Sequence, residues 1–213
     1  MNASPGPRAA DVVAQTIRAG ILSGDLAPGT PLREEQLSVD HGASRHTIRT
    51  ALAALTAERL LTAEPYRGVR VAELDEASLI ALQQLRCALE TEALRRVSER
   101  GTYPTAVDAA LTELEHAESQ CDWNATLDAH SRVHLALVDA ADSPRISEEY
   151  RRLDNEVRLL LTHVRPAYSI GQLTSEHRTY VADALAHPER AVRDHLDNSS
   201  HAILRHRRTS ELR

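Results

Sequence analysis

Beyond residue 72 strict alternation between apolar and polar side chains, the pattern a half-buried strand requires, runs past five residues only over Gln120–His130, where Asp, Asn and Ala are poor strand formers. Instead, apolar residues recur at three- and four-residue spacing through six segments, at about 76–99, 105–120, 124–141, 144–164, 174–186 and 188–208. Turn-forming strings separate them: Gly101-Thr102-Tyr103-Pro104, Asp122-Trp123, Asp142-Ser143-Pro144, Arg165-Pro166 through Gly171, and His187-Pro188. Residues 73–213 therefore read as an all-helical bundle long enough to bury a core of its own. Composition agrees, because Phe is absent and aromatics are 3%, leaving Ala and Leu to pack the helices.

Residues 1–72 have a different chemistry. They carry eight Arg against seven Asp or Glu, whereas the rest carries 17 Arg against 24, so the whole-chain charge of -6 comes from the second part. Every basic residue except histidine is Arg. Helical spacing predicts a first helix over about 11–22, ended by Ser23-Gly24-Asp25-Leu26-Ala27-Pro28-Gly29. A short helix from about Arg33 to Asp40 follows, then the turn His41-Gly42-Ala43, then a helix capped by Ser44 and running to about Arg59. Ile48, Ala51, Leu52 and Leu55 share one face of that third helix. Residues 60–64 and 69–71 read as short strands around Pro65-Tyr66-Arg67-Gly68. This order is that of a winged helix-turn-helix. Arg45 and Arg49, four apart opposite Ile48 and Leu52, can meet a guanine edge or a phosphate. Arg33 starts the second helix, and Arg67 with Gly68 forms the hairpin tip.

The strings Leu32-Arg33-Glu34-Glu35-Gln36-Leu37, Gly42 through Leu52 and Arg67-Gly68-Val69-Arg70-Val71 resemble the DNA-binding domain of the GntR family of bacterial transcription regulators. His46 and Thr47 stand where that family has Thr-Pro in the recognition helix, Thr50 replaces its Glu, and Arg59 stands where a glycine is usual. Residues 73–213 resemble the all-helical effector domain of the FadR subgroup, through Leu85-Arg86-Cys87-Ala88-Leu89-Glu90, Val133-His134-Leu135-Ala136-Leu137, Ser143-Pro144-Arg145-Ile146, Glu176-His177-Arg178 and His195-Leu196-Asp197. The resemblance implies a mainly α fold, with a winged helix-turn-helix over 1–72 and an effector-binding and dimerisation bundle after it. It also implies a homodimeric repressor on a palindromic operator, with Arg33, Arg45, His46, Thr47, Arg49, Arg67 and Gly68 facing DNA. The two cysteines, the lack of a long apolar span and the lack of a signal-peptide core lead us to expect a cytoplasmic protein without membrane contact.

His130 and His134 are four apart and point the same way from one predicted helix. On its own such a pair is more often a solvated or hydrogen-bonded one than a metal site. The subgroup commonly holds a divalent metal with Asp-x-x-x-His on one helix and a histidine on each of two later helices. His134, His177 and His195 match those histidines, and His130 stands at the Asp position. Asp128 cannot replace it, because six residues turn a helix by about 600° and leave it on another face. His195 follows His177 about one turn sooner than in the family, which makes Asn198 the fallback ligand. Four neutral imidazoles leave the ion at +2, favouring zinc or nickel and attracting an anionic ligand. The expected effector is therefore a small organic acid. Arg86 is the candidate to hold its carboxylate, against the plainer role of an i, i+4 ion pair with Glu90 on a helix surface. Arg132 and Arg158 are weaker candidates. The rival readings are a DNA-binding protein that takes no ligand and a metal-dependent hydrolase, though neither HExxH nor GxSxG is present for the latter.

Overall fold

The computed structural model describes residues 8–64, 68–164 and 169–211. The chain divides into two compact units, Met1–Glu73 and Leu74–Arg213.

In the first unit, α1 (Ala9–Ser23) ends at Gly24, whose φ of 89° reverses the chain. A two-residue strand, β1 (Pro31–Leu32), leads into α2 (Glu34–Asp40). The turn through Gly42 then delivers α3 (Arg45–Ala57). The Ser44 hydroxyl accepts the Thr47 N–H at 3.1 Å, so the expected cap is in place. Ile48, Ala51, Leu52 and Leu55 are all buried, as are Val13, Ala14, Ile17 and Ile21 of α1, and the two helices pack on each other. Strands β2 (Leu61–Glu64) and β3 (Gly68–Val71) pair antiparallel, and β1 adds to the other edge of β3, giving the order β1-β3-β2. β1 was not expected from sequence: two residues carry no period, and only the pairing of Pro31 with Arg70 and of Leu32 with Val69 makes them a strand. A proline is tolerated there because an edge strand needs donors on one side only. Arg59, between α3 and β2, takes a left-handed φ of 59°, the reason a glycine suits that position. Residues 65–67 of the expected hairpin tip, Arg67 among them, lie outside the described residues.

The second unit is all helix among the described residues. α4 (Glu76–Arg100) is capped by Asp75, whose side chain accepts the Ser78 N–H at 2.7 Å, and stops at Gly101 with φ 62°. Then follow α5 (Ala106–Ser119), α6 (Trp123–Asp139), α7 (Pro144–Val164), α8 (Gln172–Ala184) and α9 (Pro188–Glu211). α5 packs on α6, α4 on α9, α6 on α7 and α8 on α9. Leu94, Leu114, Val133, Leu137, Leu173 and Val192 form the centre of the apolar core. α8 begins two residues earlier than its periodicity predicts, and the cause is tertiary. The Glu118 carboxylate, from α5, accepts the N–H groups of Gly171, Leu173 and Thr174 at 2.9–3.2 Å. A carboxylate there satisfies the free donors of a helix start and its positive end. Gln83, Arg86 and Glu90 form a polar stripe on the buried face of α4. The i, i+4 pair of Arg86 with Glu90, the plainer alternative for Arg86, exists, but with side chains 3% and 1% exposed it lies inside the bundle and not on a helix surface.

Candidate metal centre and DNA interface

α6 turns His130 and His134 inward on successive turns, and α8 brings His177 against them. One ligand atom from each of the three lies within 4.8 Å of the others, all buried. Their ring centroids are 4.6–5.0 Å apart. His195 of α9 borders this group, 4.7 Å from the His177 ring and stacked on Tyr180 at 4.4 Å. It is half-buried, and Asn198, one turn on, is exposed.

Hydrogen bonds from outside set the imidazole tautomers. His134 Nδ1 lies 3.0 Å from Glu90 Oε2, and His177 Nδ1 lies 2.7 Å from the Leu173 carbonyl oxygen. Both partners are acceptors, so both Nδ1 atoms donate and both Nε2 atoms keep a lone pair. Those two Nε2 atoms face each other at 3.1 Å. Two lone pairs at that distance repel unless a proton or a cation lies between them. Ligands ~2.1 Å from a shared ion are about 3.0–3.4 Å apart at octahedral or tetrahedral angles, so the spacing suits an ion. His130 Nδ1 is buried with no hydrogen-bond partner, which also suits a cation. Outer contacts that fix tautomer and raise basicity are what metal-binding histidines use. The residues therefore fit a metal ion.

Burial, then the neighbouring His134, lowers the His177 pKa to about 3. Burial and the other rings hold His130 and His195 well below their ordinary value. Burial also lowers His134, against the opposing pull of Glu90. All four are thus neutral at neutral pH, the form that ligates metal. Glu90, missed as a centre residue from sequence, anchors the group. Burial works to raise its pKa, but His134, Arg86 and the hydrogen bonds outweigh it and keep the carboxyl ionised. It accepts hydrogen bonds from Tyr150 Oη at 2.5 Å and Tyr180 Oη at 2.8 Å. Burial holds both phenols protonated, so they donate. The signal for Glu90 was its i, i+4 spacing from Arg86. Tyr150 and Tyr180 gave none, being single aromatics on separate helices.

The weaker arginines are held elsewhere. Arg132, half exposed, bonds Glu113, and Arg158 bonds Asp128 at 2.6 Å. In the first unit, Arg45 and Arg49 project from α3 with side chains 65% and 67% exposed. Arg45 meets Glu35 at 2.6 Å and Arg49 meets Glu34 at 2.7 Å, both glutamates belonging to α2. His46 and Arg33 are exposed. The Thr47 hydroxyl is 2.9 Å from Ser44 Oγ, tying it to the cap. Gly68 has φ 78° and open space where a Cβ would sit.

A helix-turn-helix with a small wing, joined to a helical unit around a buried polar centre, defines a two-part DNA-binding regulator. Family models agree on both parts: bacterial regulatory proteins of the gntR family over residues 9–71, and the FCD domain over residues 81–199. The chain belongs to the GntR family, with an FCD domain as its second part. It is 30% identical over 203 residues to the HTH-type transcriptional regulator BphR of Paraburkholderia xenovorans, covering 87% of this chain and 81% of BphR. It is 25% identical to the galactonate operon transcriptional repressor of Escherichia coli, covering 84% and 87%. A GntR regulator of Rhodococcus sp. RHA1 superposes with a TM-score of 0.73 at 26% identity, over 92% of this chain and 97% of that one. All three relatives are named as transcription regulators. No helix among the described residues is long and apolar enough to cross a membrane.

Proposed function

We propose that the chain is a homodimeric repressor that binds a palindromic operator in the cytoplasm, under the control of a ligand in its helical unit. The observation that carries the DNA reading is the exposed face of α3. Ile48, Ala51, Leu52 and Leu55 anchor one side of the helix in the core, so Arg45 and Arg49 project from the other. In this reading α3 enters a major groove, with Arg33, His46 and Thr47 beside it, and the wing at Arg67 and Gly68 lies near a minor groove. Two-fold symmetry of a dimer gives the operator its palindrome. The repressor's sign is inferred from the galactonate operon relative.

The control site is the histidine centre. His130, His134 and His177, completed by His195, would hold a divalent ion, with zinc or nickel suited to imidazole ligands. Bound there, the ion would supply Lewis-acid chemistry. In this reading a small organic acid meets the ion and the guanidinium of Arg86. Any ligand switches the protein only through different affinity for its DNA-competent and incompetent forms.

Selection of bound duplexes from a random pool tests the reading. The expected product is one palindrome, bound with a strongly salt-dependent affinity. Arg45→Ala and Arg49→Ala are each expected to cost about 1–3 kcal/mol of discrimination if the arginine meets a base edge. Equal affinity for selected and random duplexes would refute it.

A further inference from the structure

Two carboxylates stand beside the arginines proposed to read DNA. Glu34 and Glu35 open α2, next to the exposed Arg33, and both reach across to α3. A carboxylate facing a polyanion is repelled by it, and pairing with an arginine offsets that repulsion. Both are paired. Arg45 Nη2 lies 2.6 Å from Glu35 Oε1, and Arg49 Nε lies 2.7 Å from Glu34 Oε2.

The two pairs use different nitrogens, and the difference decides what each can do. A guanidinium presents two pairs of parallel donors, Nε with Nη2 along its side and Nη1 with Nη2 at its end. A guanine edge takes two such donors at once. Glu34 holds Arg49 by Nε, the nitrogen nearest the backbone, and among the described residues Arg49 makes no other hydrogen bond or ion pair. Its end pair is left for a base. Glu35 holds Arg45 by Nη2, the nitrogen common to both pairs, so a base and Glu35 contend for the same end of the side chain. Burial points the same way: the Glu34 side chain is 36% exposed and the Glu35 side chain 81%. Glu34 is the more firmly seated, and Glu35 can swing into water. A long side chain loses rotamer freedom on docking, and a partner on Nε that stays in place restrains it beforehand.

We propose that Glu34 is a positioning residue for the base contact of Arg49, retained in the DNA complex, whereas Glu35 competes with DNA for Arg45 and is displaced when α3 docks. The proposal rests on the DNA reading above. Displacement is favourable because an exposed ion pair is worth less than a bidentate contact to a base.

The full chain and its variants are titrated with the selected duplex and with a random duplex of the same length, at one salt concentration, by fluorescence anisotropy. Arg49→Ala sets the scale, because losing a bidentate contact lowers the ratio of selected to random affinity about 5–150-fold. Glu34→Ala is expected to lower that ratio by about 5-fold or more, the lower end of the same scale. Glu34→Gln, whose amide oxygen still accepts the Arg49 Nε–H, is expected to keep it. In the Arg49→Ala background Glu34→Ala is expected to cost no further discrimination, since its effect runs through Arg49. A role only at the positive start of α2 would persist there. Glu35→Ala is expected to tighten binding to both duplexes by up to about 5-fold, the worth of the surface pair that DNA no longer has to break. Four results each overturn the proposal: an unchanged ratio in Glu34→Ala, the same loss in Glu34→Gln, an equal loss in both Arg49 backgrounds, or weaker binding of the selected duplex by Glu35→Ala. Discrimination that survives Arg49→Ala overturns it as well and leaves base reading to Arg45. A wild type without preference for any duplex instead refutes the DNA reading, and the proposal falls with it.

Discussion

Replacing Glu90 by Gln keeps the shape of the side chain and removes its charge. In the folded protein four donors converge on this carboxylate, two on each oxygen. An amide offers one acceptor oxygen and one donor nitrogen. Whichever way it turns, its NH2 faces two donors: Tyr150 and Arg86, or Tyr180 and His134. Two hydrogen bonds are lost and the buried guanidinium loses its counter-charge. Removing one partner of a buried pair costs about 3–5 kcal/mol, whereas an exposed i, i+4 pair is worth about 0.3–0.5 kcal/mol. The metal-free helical unit of Glu90→Gln should therefore unfold in urea with a stability about 3–5 kcal/mol lower than wild type. Circular dichroism follows the transition, and equal slopes in the two proteins license the comparison. A loss below about 1 kcal/mol would falsify the view that Glu90 is the buried anchor and favour the plainer reading of a pair on a helix surface.

Arg59→Gly relieves a left-handed backbone conformation that costs about 1–2 kcal/mol for a residue with a Cβ, against the roughly 0.5–1 kcal/mol that glycine loses in the unfolded chain. A gain of about 0.5–1 kcal/mol in the first unit's denaturation is expected, and a loss would contradict the strain. His195→Ala should weaken zinc binding in calorimetry while Asn198→Ala leaves it unchanged, because the His195 ring lies against His177 and Asn198 is exposed. The reverse result would move the last ligand to Asn198. The metal-free helical unit should lose stability as pH falls from about 6.5, the unfolded histidine value, toward about 3, the folded value of His177. Below 6.5 the unfolded chain binds protons that the buried imidazoles refuse, at up to ~1.4 kcal/mol per pH unit for each histidine. Glu90, held ionised by its partners, adds a loss of the same sign at lower pH. Urea midpoints that stay level between pH 7 and pH 4 would show the imidazoles to be solvated.

Local pattern decided the architecture of this protein. Ile48, Ala51, Leu52 and Leu55 repeat at helical spacing, so their place on a buried face was legible in the sequence, and with it the outward face of Arg45 and Arg49. Ser44 and Gly101 marked a helix start and a helix end because caps act within a few residues. The pairing of His130 with His134 was legible for the same reason: four residues make about one turn. Tertiary structure alone decided the rest. Glu118 reaches α8 from 53 residues away, so the true start of that helix had no local sign. β1 exists only through its pairing with β3. For Arg86 and Glu90 the spacing left a solvated pair as the plainer alternative, because charge normally seeks water. What reverses that is the convergence of Tyr150, Tyr180 and His134 from three other helices, which replaces the lost water with donors. Spacing along one helix fixes which way a side chain points; only packing between helices fixes what it meets there.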